Sequence, residues 1–246
     1  MSNNNHVSQM DAPVVETRWK DLYRWGGIAA VAAIVAIVLG VVAFIIWPYS
    51  PNSVSTVEVY AQVLTDRMGA LMSLDLLYLV SNLFAIPLVL AMYVALRKVN
   101  ESYALIAMVL GVMALVLLLA ARPIFEVVTL ADRYAAAAGE AERNILLAAG
   151  EPLLALFTGT SYYVSYFLGT LSLLIYAFLM LERKIFSKPT AWVGIVTNIV
   201  AFGMFIPVVG MPLAFLSLVG LVTWNVQLAR RFFQLARMAS ASTAAD

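Results

Sequence analysis

Long apolar runs, separated by short polar stretches, dominate the pattern along the chain. A bilayer core of ~30 Å takes about 20 apolar residues in a helix. Six stretches reach that length: roughly residues 26–47, 70–96, 103–121, 153–181, 190–209 and 211–229. The pattern predicts an all-α, polytopic membrane protein with six transmembrane helices. A polar tail (1–25) precedes a single six-helix domain (26–235), and a second polar tail (236–246) follows it. The fifth and sixth spans are joined by a short turn around 207–212, so they are read as antiparallel neighbours.

Two longer connections fall on one side, at about 48–69 and 122–152. The first opens with Pro48-Tyr49-Ser50-Pro51, an extended entry, and Ser55 with Glu58 then fits a capping box. A short helix from about Thr56 to Met68 follows, with Val57, Tyr60, Ala61 and Leu64 on one face. In the second, Pro123-Ile124-Phe125-Glu126 opens like a helix start. Gly139 breaks that helix, and residues 141–149 form another before Gly150-Glu151-Pro152. The expectation is a short outer helical hairpin over the bundle, either as surface packing or as a lid.

Composition sharpens the class. The 246 residues are 63% hydrophobic and 12% charged, against about 45–50% and about 25% in soluble domains. The absence of Cys removes disulfides, thiolate nucleophiles and Cys-ligated metal. The one His, His6, lies in the polar tail, away from any span. No cofactor or metal centre is expected, and a net charge of +1 gives no reason to expect nucleic acid. The first apolar run is longer than the 7–15 residues of a signal h-region. Trp47-Pro48-Tyr49 does not resemble a small-residue cleavage site, so the run reads as a retained span.

Basic residues set the orientation, because basic flanks stay cytoplasmic. One side holds Arg18, Lys20, Arg24, Arg97, Lys98, Arg183, Lys184, Lys188, Arg230, Arg231 and Arg237; the other holds Arg67, Arg122, Arg133 and Arg143. Eleven against four places both termini in the cytoplasm, as an even number of spans requires. The expected location is the inner (cytoplasmic) membrane. The outer side is then acidic (Glu58, Asp66, Glu126, Asp132, Glu140, Glu142, Glu151), either a solvated face or a mouth attractive to cations.

Small residues at four-residue spacing mark faces for close helix packing: Ala32, Ala36 and Gly40; Ala107 and Gly111; Ser161, Ser165 and Gly169. Pro87 in the second span frees the carbonyl of Leu83 and is a candidate hinge, with Ser81 and Asn82 one turn earlier to serve the loosened backbone. Asp75 is the one clear ionisable residue of a span. It stands 22 residues before Arg97, at the outer boundary, where it can pair with Arg122 (Arg122 with Glu126 being the other pairing). Asn82 and Asn198 lie at similar depth and can bond each other; Tyr166 is deep enough to need an interhelical partner. The candidate polar pocket comprises Asp75, Asn82, Arg122, Glu126, Tyr162, Tyr166 and Asn198, beside the competing reading of these groups as interhelical cement.

No complete catalytic constellation is present. The four Lys all lie at cytoplasmic ends, and neither His-Glu-x-x-His nor Gly-x-x-x-x-Gly-Lys occurs. Gly159-Thr160-Ser161 has no His partner for nucleophilic work. Two junctions carry a family resemblance: Ala91-Met92-Tyr93-Val94-Ala95-Leu96-Arg97-Lys98-Val99-Asn100, and Ser187-Lys188-Pro189 followed by Trp192-Val193-Gly194-Ile195. From about Trp25 to Leu235 the chain resembles the bacterial membrane proteins grouped as domain-of-unknown-function family 4386. The resemblance implies the six-helix architecture and carries over no activity or catalytic residue. The expected function is a non-enzymatic bundle or an accessory subunit of a membrane complex, with the lipid bilayer and other membrane subunits as partners. The alternative is a small transporter or lipid/ligand-binding protein with an outward cavity.

Overall fold

A computed structural model describes residues 17–47, 54–182 and 185–243. The Pro48–Pro51 entry, His6, Arg183 and Lys184 lie outside the described residues. Among those described, every regular element is helical: α1 (Lys20–Ile46), α2 (Thr56–Thr65), α3 (Arg67–Ser73), α4 (Leu76–Leu96), α5 (Glu101–Ala120), α6 (Ile124–Ala136), α7 (Glu140–Ala155), α8 (Thr160–Leu179), α9 (Lys188–Phe202) and α10 (Gly210–Thr243). Among the described residues, five stretches are long and apolar enough to cross a membrane: Lys20–Ile46, Leu76–Leu96, Glu101–Ala136, Glu140–Glu182 and Pro212–Ala241. α9, on the expected fifth span, has 15 residues, about 22 Å at 1.5 Å each. A 3-10 turn at Gly203–Phe205 extends it.

α1, α4, α5, α8, α9 and α10 pack in chain order, and α10 returns to α1, so the six close a ring. Neighbours alternate in direction. Gly26 of α1 meets Ala91 of α4, Gly111 of α5 meets Ser172 of α8, and Gly194 of α9 meets Trp224 of α10. Tyr23 near the start of α1 stacks on Phe232 late in α10 at 6.3 Å, while Phe44 and Phe215 meet at 5.5 Å at the opposite end. The start of α1 and the late part of α10 therefore share one end of the bundle.

Two apolar clusters hold the ring. One gathers Tyr23, Met92, Leu96, Tyr176, Trp224, Leu228 and Phe232 at the end where α1 starts. The other joins α2, α3, α6 and α7 through Val59, Tyr60, Ala70, Ile124, Val127 and Leu154, with Leu74 and Phe157 beside them. The middle of α1 is open, with Val35 and Val38 each 51% exposed, as suits a surface whose solvent is hydrocarbon.

Local side-chain chemistry explains the starts of four helices. Ser55 and Glu58 form the reciprocal capping box, satisfying two backbone donors at the start of α2. Asn100 accepts from Tyr103 N at 3.1 Å and Ser187 from Thr190 N at 3.4 Å, starting α5 and α9. Asp66 accepts from Gly69 N at 2.9 Å and from Trp47 Nε1 at 3.1 Å, which pins the end of α1 to the start of α3.

Several expected boundaries are corrected. The helix expected over 56–68 stops at Thr65, because Asp66 restarts the chain as α3. Its buried face is Thr56, Val59, Tyr60 and Val63; Val57 and Leu64 are exposed, because the covering helices α6 and α7 sit over the next stripe. The second span does not begin at Ala70: Asp75 adopts φ 65 and separates α3 from α4. The left-handed region costs most residues about 1–2 kcal/mol, and Asp is among the few that tolerate it. Within the expected fourth span the helix restarts at Thr160, since a 3-10 turn at Leu156–Thr158 and Gly159 end α7; the apolar stretch as a whole runs Glu140–Glu182. α7 itself runs through Gly150 and Pro152, past the expected stop. α10 continues to Thr243, well beyond residue 229. The short turn after α9 includes Val208 at φ 71, an unusual conformation for a β-branched residue.

The small-residue faces differ in use. Ala107 is fully buried and accepts from Ser172 Oγ at 2.6 Å, while nothing lies within 4 Å of a methyl built on Gly40. A methyl on Gly194 stands 2.6 Å from Trp224 Cε2. Overpacking of this kind costs typically about 1–3 kcal/mol. Gly194→Ala is expected to lower the unfolding temperature in detergent by about 3–10 °C, whereas Gly40→Ala leaves it unchanged or slightly raised. Equal losses for the two would contradict the packing described.

Candidate functional site

Arg122 follows the end of α5 and is 6% exposed. Its Nη1 donates to Ala121 O at 3.1 Å and Phe157 O at 3.2 Å. Its Nε lies 3.1 Å from Asp75 Oδ2, and the N–H points off that line, so the contact is an ion pair rather than a directed hydrogen bond. Three rings surround the guanidinium: Tyr162 at 4.6 Å, Phe157 at 5.2 Å and Tyr78 at 5.6 Å. All lie within the ~6 Å over which a cation gains from an aromatic face.

Each contact comes from a break in the helical ladder. Asp75 stands at the α3–α4 break and Arg122 at the α5–α6 junction. Phe157 sits in the 3-10 turn before α8, and Tyr162 in the first turn of α8. Helix ends expose carbonyls with no partner of their own, and the guanidinium's five fixed donors suit several such acceptors at once. Asp75 keeps 43% of its side-chain surface open. Even so, crowding around the carboxyl pushes its pKa up, while the Arg122 charge pulls it the other way.

Of the expected pocket residues, the structure brings together Asp75, Arg122 and Tyr162, with Tyr166 next to Tyr162 at 6.4 Å. Tyr166 does find an interhelical partner, donating to Ala201 O at 3.2 Å. Glu126 is not the partner of Arg122; it lines a separate shallow groove with Phe125, Thr129 and Arg133. Asn82 and Asn198 do not bond each other. Asn82 donates to Tyr78 O at 2.8 Å and Asn198 to Gly194 O at 2.7 Å, each four residues back on its own helix. Ser81 also bonds Tyr78 O, so neither side chain serves Leu83 at Pro87, through which α4 runs. Among the described residues, no group of three or more His, Cys, Asp or Glu is placed to hold a metal.

Sequence reasoning missed Tyr78 and Phe157. Tyr78 is one turn after Asp75, so an i, i+3 search from the ionisable residue finds it. Phe157 carried no signal, because the apolar run hid the 3-10 turn that presents its carbonyl. Nearby, Tyr60 is fully buried and donates to Leu146 O at 3.0 Å, tying α2 to α7. Burial pushes its hydroxyl up to about 12, so it remains a donor at neutral pH.

The chain belongs to a sequence-defined family of unknown function. The family model described as a domain of unknown function (DUF4386) matches residues 23–236, nearly the whole chain. No curated protein and no solved structure matches it.

Breaking a buried ion pair from one side costs about 3–5 kcal/mol, and less where one partner is open to solvent, as Asp75 is. Asp75→Asn and Arg122→Gln are each expected to lower the unfolding temperature in detergent. The double variant should lose less than the sum, with a coupling of at least about 1 kcal/mol. Strictly additive losses would show that the two residues act independently.

Proposed function

We propose that the protein is a non-enzymatic, multi-pass membrane bundle that serves as a structural body or accessory subunit of a membrane complex. The observation that supports this most is the use of Arg122, the one buried Lys or Arg among the described residues. Arg122 is spent on Asp75, two carbonyls and three rings of the protein itself. Tyr78, Phe157 and Tyr162 close around its guanidinium, which favours interhelical cement over a transport or ligand site.

Six crossings follow in this reading. The alternation of six helices around a closed ring, with α1 starting beside the late part of α10, supports a hydrophobic passage for α9 with its 3-10 turn as well as for the five longer stretches. The excess of Lys and Arg at that shared end favours the cytoplasm for both termini and the bacterial inner membrane as the location. α2, α3, α6 and α7 then form the outer cap.

A reporter fused after Arg237 is expected to read as cytoplasmic and one inserted at Gly139 as exported; the reverse pair would overturn the topology. The structural role is tested by complementation of a deletion strain. The Asp75→Asn, Arg122→Gln double variant should retain function in proportion to the folded protein present. Full folding with loss of function would identify the pair as a working site instead.

A further inference from the structure

A groove of about 440 Å³ opens where the start of α9 meets the late part of α10. Ser187, which caps α9, and Thr190 of α9 line it on one side, and Gln227, Arg230 and Arg231 of α10 on the other; none of its described lining residues is acidic. Arg230 is exposed and makes no hydrogen bond or ion pair with the described residues. Arg231 is half-buried, held by Ile185 O and by Gln234 Oε1 at 3.2 Å, so its guanidinium is fixed at the groove. Ser187 Oγ and Thr190 Oγ1 lie 2.9 Å apart. One of their two protons bridges the pair, which leaves the other to donate outward. Ser187 already caps α9, so that helix brings the positive end of its dipole rather than free N–H groups. Gln227 lines the groove as well; its buried amide oxygen is an acceptor and is no partner for an anion, so only its amide N–H groups can serve one.

The position is as informative as the chemistry. Arg230 and Arg231 are the first charged residues of α10 after its apolar stretch, which places the groove at the boundary between hydrocarbon and water. Positions 216, 219, 223, 227 and 230 recur at spacings of three and four, one face of a helix. On the apolar side of the groove this face presents Leu216 and Val219, 59% and 68% exposed. A cationic, hydroxyl-bearing cleft thus lies directly above an open apolar stripe.

We propose that this groove binds the phosphate of an anionic phospholipid, with an acyl chain lying along Val219 and Leu216. Two guanidinium groups, one fixed, match a phosphate ester better than a carboxylate, since phosphate presents more oxygens to a set of diverging donors. Basic clefts between membrane helices are where such headgroups bind. The inference rests on the membrane placement proposed above, not on which leaflet this end meets.

The test uses the full chain in mild detergent, analysed by native mass spectrometry with equimolar phosphatidylglycerol and phosphatidylcholine. At least fivefold more phosphatidylglycerol adducts are expected on the wild type, falling to near parity in Arg230→Gln. That substitution leaves the Arg231 contacts intact and should not impair folding; Arg231→Gln should show the same loss where it folds. Equal adducts of the two lipids on the wild type, or an unchanged preference in Arg230→Gln, would overturn the proposal. Added glycerol 3-phosphate separates the sources. Failure to displace phosphatidylglycerol at millimolar concentration supports the lipid, whereas displacement makes a free phosphate ester the occupant and overturns the acyl-chain assignment. Retention of the protein in carbonate-washed membranes reports on membrane placement independently.

Discussion

Backbone groups at helix ends need partners, and hydrocarbon supplies none. In this protein several helix ends converge at one place, and the guanidinium of Arg122 is what they share. It takes the carboxylate at the left-handed break before α4, the carbonyl of Ala121 that caps α5 and the carbonyl of the 3-10 turn before α8, and it is roofed by Tyr78 and Tyr162. Without it, the breaks at Asp75, Ala121 and Phe157 would bring a carboxylate and open carbonyls together with no common donor.

The ring of six helices depends on that junction at one end and on close backbone approach at the other. Gly26 against Ala91, Gly194 against Trp224 and Ala107 against Ser172 let neighbouring helices meet at distances a larger residue would forbid. Such contacts are the main adhesive where lipid is as apolar as the side chains. The open middle of α1 and the exposed stripe of α10 have no role in holding the ring, and both suit contact with acyl chains.

Much of the candidate site was legible before any geometry. Asp75 and Arg122 are ionisable residues at the ends of two apolar stretches joined by a tight turn, so span lengths allowed their meeting, with Glu126 as the other partner open to Arg122. Tyr166 was legible as a residue needing a partner, though not that the partner would be Ala201 O. Asn82 and Asn198 misled, because equal depth does not mean facing directions; each amide found a carbonyl on its own helix at shorter reach. Glu126 misled for a similar reason: one turn beyond Arg122, it lines a separate groove of α6 with Thr129 and Arg133.

The sequence by itself determined the all-helical class, most apolar stretches, the capping box at Ser55 and the crowding of basic residues at one end. These depend on local composition and on period, which the chain carries residue by residue. Only the tertiary structure decided where the long apolar runs are interrupted, which stripe of α2 is covered, and that α10 returns to α1. An apolar run reads the same whether its helix is continuous or broken. The breaks at Asp75 and Phe157 exist because distant groups, Arg122 above all, are there to satisfy them.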